Sequence, residues 1–471
     1  MEPRGVLGAA AYLPHRRLDR TTIASVAGGG GGKGTRTVAS YDEDTTTMGV
    51  EAARLALAGL GPGAADRIDA LWFSTVAPAY ADKTNATAIH AALRLDRASP
   101  AFDVNGAVRS AVGALRATPS GAGTSLVVAA DLRSGLAGGP DEAAFGDGAA
   151  ALVVGPAAEG APLLAEVIGK GGATEEMLDR WRTPGEARSR VWEERFGETR
   201  YVPLGADAWE AALKHAGLVA DQVDRVIVTG THGRANQALA KKLGLGDRLV
   251  DDLASTVGNT GAAHPALLLT SALEAAEPGQ VLALVTLADG ADAVIFRVTD
   301  AIDGWRPARP LADQAAAGAP IPYGTYLRWR GVLPAEPPRR PEPARPSASA
   351  SARSSDWKFG FVGSTDDAGE VHLPPQPPES QQIAMADAQG TVVTFTVDRL
   401  AYSPSPPVVF AVVDFDGGGR LPVELTDVDV DEVRIGARVE LTFRKLFTAD
   451  GIHNYFWKAR LLPEATDGGG A

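Results

Sequence analysis

Over the first 300 residues, short apolar runs bounded by glycine alternate with alanine-rich stretches of helical period. That is the pattern of strands buried on both faces and covered by helices. Residues 5–14 (GVLGAAAYLP) form the first such run. A loop follows, then the glycine tract 28–32 with Lys33 and Gly34 behind it. No strand feeds that tract and no Gly-Lys-Ser/Thr closes it, so it reads as a flexible loop and not as a phosphate loop. Asp42, Glu43, Asp44 and Thr45 precede a helix expected over 48–60, with the acids at the turn where the helix dipole favours negative charge. The segment 102–115 (FDVNGAVRSAVGAL) reads as a short buried strand, a tight turn of small residues and a helix. A strand running so directly into a helix presents one side chain at the helix N-terminus, as a nucleophile elbow does. The residue at that position is Val108.

Two patterns return at nearly one offset. The stretch at 66–75 (DRIDALWFST) reappears at 221–230 (DQVDRVIVTG), 155 positions later, and the run at 123–130 (GTSLVVAA) reappears at 279–286 (GQVLALVT), 156 positions later. A unit of this length is far longer than a solenoid repeat, so the first 300 residues read as two related α/β halves. Helices between the sheets of two such halves would be buried all round, which suits the small and apolar residues at 111–115 and 261–269.

At 334–355 the composition shifts to Pro, Arg, Ser and Ala, an extended and semi-stiff linker. Beyond it, runs at 390–397, 408–415, 439–444 and 454–458 read as strands at short spacing with little helix between them, and 417–420 (GGGR) reads as a turn joining two of them. A small all-β barrel of the OB type fits. The expected divisions are 1–165 and 166–320 for the two halves, 321–356 for a docking helix carrying Arg328, Trp329 and Arg330 plus the linker, and 357–471 for a turn region and the barrel.

Composition narrows the function. A chain of 471 residues with 45% hydrophobic content can bury a large core, and its net charge of −13 argues against broad binding to a nucleic-acid backbone. A local basic pocket remains compatible with that charge, and Lys33 and Arg36 are its candidate anion contacts. No apolar run approaches the roughly 20 residues that span a bilayer, and no signal pattern opens the chain, so a cytoplasmic protein without a membrane partner is expected. There is no cysteine, which excludes disulfides, thiolate metal sites and cysteine nucleophiles outright.

Several motifs in order make the first 300 residues resemble the thiolase superfamily, in its 3-hydroxy-3-methylglutaryl-CoA synthase and ketoacyl-synthase III branch. They are 102–105 before the elbow, 145–154 (FGDGAAALVV), Thr231-His232 after the second-half strand, and 257–263 (VGNTGAA). Residues 323–457 resemble the OB-fold proteins that accompany thiolase-like enzymes. The resemblance implies an α/β duplicated αβαβα layered body with a C-terminal OB barrel. It also implies an acyl-CoA or acyl-carrier protein as substrate or partner, no further cofactor, and a homodimer.

In that family an elbow cysteine takes the acyl group, a histidine and an asparagine line the site, and the hydroxymethylglutaryl type adds a glutamate. Here the cysteine position holds Val108 or, in the other register, Ala107, and in the glutamate's stretch, 74–83, the nearest acid is Asp82. The resemblance leaves His232 and Asn259 as the polarising pair. Three activities follow: aldol or Claisen-type chemistry, in either direction, on a thioester without an acyl-cysteine; a silent acyl-CoA-binding scaffold subunit; or direct acyl transfer with His232 as base. The OB relatives carry two cysteine pairs in a zinc ribbon before the barrel, where this chain reads 365–369 (TDDAG) and 378–382 (PESQQ). Asp366, Asp367, His372 and Glu379 match no zinc spacing, so no metal is expected, and the turn would hold by Pro374, Pro375 and packing.

Four further residues complete the candidates. Tyr80 is a replacement acid/base or a structural loop tyrosine. Arg109, next to the missing nucleophile, meets an anionic substrate group or lies at the surface. His264 lines the cavity or packs beside Pro265, and Asp147 organises backbone instead of acting as an acid.

Overall fold

A computed structural model describes residues 2–158, 160–186, 188–376 and 381–462. The chain forms two compact units. The first comprises Met1–Ala39, Asp44–His90 and Leu95–Leu327; the second comprises Ser40–Glu43, Ala91–Arg94 and the chain from Arg328 onward. Among the described residues no helix is long and apolar enough to cross a membrane.

In the first unit the apolar runs become strands β1 (Arg4–Tyr12), β2 (Ala70–Ser74), β3 (Ala101–Asp103), β4 (Ser125–Asp131) and β5 (Gly148–Pro156), then β6 (Ala165–Ala173), β7 (Arg225–Gly230), β8 (Val281–Leu287) and β9 (Ala291–Val298). All nine join in one sheet, in the order β7-β8-β9-β6-β1-β5-β4-β2-β3. The first half runs third-second-fourth-fifth-first by chain order. The second half repeats that order, with a single parallel bridge between Val226 and Leu249 standing for its third strand. The duplication seen in sequence is therefore a duplication of topology. The halves meet where β1 pairs antiparallel with β6 over two positions, Gly5 with Glu166 and Val6 with Ala165. A Cβ on Gly5 would sit 2.0 Å from the Ala165 carbonyl oxygen, so only glycine lets the two strands approach this closely.

The helices make the layers. α1 (Thr45–Ala58) covers β1, β4 and β5 from outside; α2 (Val108–Ala117) and α5 (His264–Glu274) each touch strands of both halves; and α3 (Glu194–Ala216) with α4 (Gly233–Lys242) covers the second half. The result is the αβαβα stack. α1 begins three residues earlier than expected, capped by Asp44, whose Oδ1 accepts from the backbone amides of Thr46 and Thr47 at 3.0 Å each. Phe102 corrects another expectation: β3 is an edge strand and Phe102, beside Trp72, is 45% exposed and not buried.

In the second unit, β10 (Gln389–Asp398), β11 (Val408–Phe415), β12 (Arg420–Leu425), β13 (Arg438–Ala449) and β14 (Ile452–Leu461) close a five-stranded barrel. The four runs found in sequence are all strands, and β12 is a fifth. The region before the barrel is a small sheet of Val362–Thr365, Val371–His372 and Gln381–Ala384. There Asp366, Glu370 and His372 bring their ligand atoms within 4.8 Å of one another, while Pro378 and Glu379 lie outside the described residues. The expected linker contains a short helix, Ala348–Arg353.

Asp42 and Glu43 belong to the barrel unit and not to the dipole of α1. The Arg444 guanidinium lies 3.1 Å from Asp42, 3.3 Å from Glu43 and 2.6 Å from Asp427, and the Lys458 ammonium bonds Asp42 at 2.9 Å and also Glu424. Arg444 and Lys458 are fully buried. Burial pushes the Asp42 carboxyl up, but Lys458 and Arg444 overrule it and hold the group ionised. Replacing Arg444 with Met leaves buried carboxylates without their cation, so a loss of about 3–5 kcal/mol is expected in thermal or denaturant unfolding of the whole chain. A loss below about 1 kcal/mol would show that water, not Arg444, solvates the cluster.

Candidate functional site

Three loops converge at the ends of the middle helices. The first is the elbow: Gly106, at φ +106°, turns the chain out of β3, and Ala107 is the N-cap of α2 with no side-chain cap of its own. Val108 is the first helical residue and is buried. The second is the turn after Asn259, whose Ala262 and Ala263 pack with Ala111 of α2 and Ala129 of β4. The third is the end of β7. The Gly230 carbonyl there accepts both the Asn259 amide at 3.0 Å and the Asn236 amide at 3.0 Å, and His232 follows two residues on. Asn259 is held at both ends, since its Oδ1 also accepts from the Gly261 backbone N–H at 2.9 Å.

His232 is the N-cap of α4. Its Nδ1 accepts from the Ala235 backbone amide at 3.1 Å, so this nitrogen carries no proton. The proton is then on Nε2, which donates to the Glu194 carbonyl at 2.8 Å. The imidazole is thus a neutral hydrogen-bond donor, covered by the first turn of α3. Tyr201 meets its ring edge-on at 5.9 Å, and burial and the nearby Asp179 carboxylate hold the Tyr201 proton well above its ordinary range. A Cβ on Gly197 would fall 2.6 Å from the His232 ring, so glycine is what lets α3 close over it.

Beside the elbow, Asp131 ends β4 and collects three donors: Thr75 Oγ1 at 2.9 Å, the Val76 amide at 2.8 Å and the Ala262 amide at 2.7 Å. Burial raises its pKa. It ties the glutamate-less stretch 74–83 to the Asn259 turn. Arg133 follows it, and neither residue was singled out from the sequence. The signal was a strand ending in Asp-Leu-Arg, at the strand end where α/β sheets place ligands.

The other candidates are held by contacts of their own. Arg109 directs four of its five N–H donors to Asp292 at 2.8 Å, the carbonyls of Asp289 and Ala173 and Thr174, and so joins the two halves. Arg36 is fully buried and donates to the carbonyls of Glu142 and Arg133 and to Asp147, so it is a core residue and not a CoA contact. Lys33 is exposed. Tyr80 is anchored through Asn85, which in turn binds Asp103. Asp147 does organise backbone, accepting from the amides of Ala39 and Arg133.

His264 packs against its own turn. It is buried, and its Nδ1 accepts from the Thr260 amide at 3.3 Å. Burial, only partly opposed by Asp252, lowers its pKa to about 4.

A family model for the C-terminal region of 3-oxoacyl-[acyl-carrier-protein (ACP)] synthase III matches residues 213–298, and one for the ChsH2 C-terminal OB-fold domain matches 382–444. The hydroxymethylglutaryl-CoA synthase of Aeropyrum pernix is 33% identical over 345 residues, spanning 70% of this chain and 94% of the relative. An HMG-CoA synthase solved in complex with CoA superposes with a TM-score of 0.60 at 18% identity, over 69% of this chain and 90% of that one. The HMG synthase of the curacin biosynthetic pathway, solved with an acetyl donor-ACP, gives 0.60 at 18% identity over 70% and 88%.

The state of His264 sets a pH dependence. The imidazole is neutral in the folded chain and protonates first in the unfolded one, so its contribution is intact above about pH 6.5 and is lost as pH falls toward about 4. Melting curves should show a slope approaching about 1.4 kcal/mol per pH unit in that window, and His264→Asn should flatten it. An unchanged slope would assign the acid sensitivity to other groups.

Proposed function

Because the chain belongs to the hydroxymethylglutaryl-CoA synthase family yet has no cysteine to acylate, we propose that it binds an acyl-CoA or acyl-carrier thioester and makes or breaks a C–C bond without an acyl-enzyme. The observation that carries this reading is the protonation of His232. An Nε2–H donor fixed by its own backbone acceptor bond is suited to stabilise an enolate or a developing oxyanion. The Glu194 carbonyl stands where a thioester carbonyl oxygen would accept the same proton, and the Asn259 amide lies on the adjoining turn. Aldol or Claisen-type chemistry, forward or reverse, needs this donor set and no covalent intermediate. Direct acyl transfer with His232 as base gains nothing from the geometry, because the one ring lone pair is occupied by the Ala235 amide.

A second reading, a silent acyl-CoA-binding subunit, is favoured by the same contact, since Glu194 covers the histidine. Turnover of β-hydroxyacyl-CoA and β-ketoacyl-CoA separates the two. The enzyme reading expects cleavage or condensation products by mass spectrometry and a fall of about 100-fold or more in kcat for His232→Ala. CoA-ester binding without turnover in any partner-free assay would sink it and leave the silent subunit.

The cytoplasm and a homodimer complete the proposal. The dimer is supported by β3, an edge strand whose open side and exposed Phe102 would let a second copy continue the sheet. Light scattering should give twice the chain mass, and Phe102→Lys should shift it toward the monomer. A wild-type monomer at micromolar concentration would remove the dimer.

A further inference from the structure

Arg133 is over nine-tenths buried, yet among the described residues its guanidinium makes no hydrogen bond. Its nearest charged partner, Asp131 Oδ2, stands 3.8 Å away and is already engaged by the Ala262 amide. None of its nitrogens is a sealed, unpartnered atom, so the small exposed part of the side chain leaves the donors open to a ligand. The side chain is held in place by packing instead: its guanidinium carbon lies 4.3 Å from the centre of the Phe145 ring.

Two independent ties put this group at the site. Phe145 pairs with Asn259 as an isolated β-bridge, and the Arg133 Cδ comes within 3.1 Å of where a Cβ on Gly261 would be. The Arg133 stem therefore lies over the turn that presents Asn259. Two more arginines flank it. Arg180 also approaches the Phe145 ring, at 5.0 Å, and is neutralised by a two-pronged bond to Asp141, while Arg182 donates to the Val76 carbonyl. With Asp131 and Asp141 as the carboxylates facing the three arginines, one positive charge is in excess.

Resting on the thioester reading above, we propose that Arg133 makes this site select acyl groups that end in a carboxylate. A planar guanidinium accepts a carboxylate through two parallel N–H···O bonds, a geometry that an alkyl terminus cannot use. Phe145 fixes the plane of the fork, and the idle donors supply the bonds.

The test is calorimetric titration of the whole protein with succinyl-CoA, butyryl-CoA and free CoA. The two esters have the same chain length and differ only in a carboxylate against a methyl. Succinyl-CoA should bind about tenfold or more tightly than butyryl-CoA. Arg133→Met, which keeps a stem on Phe145, should abolish the difference while leaving butyryl-CoA and CoA unchanged, and Arg133→Lys should retain part of it. The wild-type comparison stands even if a variant fails to fold. Equal affinity for the two esters overturns the carboxylate assignment and leaves the thioester reading intact. So does a loss in Arg133→Met shared by all three ligands, which would assign the guanidinium to a CoA phosphate. Binding of none of them overturns both.

Discussion

Two helices, α2 and α5, lie between the sheets of the two halves, and that confinement governs the rest of the first unit. α5 is buried along nearly its whole length, whereas α2 buries one face and keeps Arg109, Gly113 and Arg116 on the other. At the ends of both helices backbone amides have no helical partner. Asp131 sits between two such ends, taking the amide of Val76 beside the elbow and that of Ala262 just before α5.

Within that frame, the elbow is built around an apolar residue. Val108 fills the first helical position as a buried apolar residue, the Gly230 carbonyl holds Asn259 and Asn236, and the His232 ring is bonded to the Ala235 amide and the Glu194 carbonyl. Those bonds fix the protonation of the imidazole before any ligand arrives.

Much of the fold was legible from the pattern of apolar runs. The duplication, the elbow, the buried middle helices and four of the barrel strands all follow from periodicity and glycine spacing. The fifth strand, Arg420–Leu425, was hidden because Pro422 interrupts a short run, yet its edges still pair on both sides. Charged residues were the less readable class. Arg36 looks like a loop cation until the structure shows it spanning Glu142, Arg133 and Asp147, and Arg109 looks like a ligand contact until Asp292 is seen opposite. Their partners lie about 100 to 180 positions away, and no local pattern announces a pairing at that distance. His232 and Asn259 were found because their motifs are local; Arg133 was not, because its meaning depends on donors left without acceptors.

The second unit is not a simple appendage in chain terms. Asp42 and Glu43, encoded some 400 positions before Arg444, are counted among its buried charges. A gene cut at Arg328 would therefore yield a fragment missing half the carboxylates around its two buried cations. If body and barrel descend from separate genes, their later histories have been linked: neither partner can be exchanged for a homologue without also exchanging the four-residue stretch Ser40–Glu43.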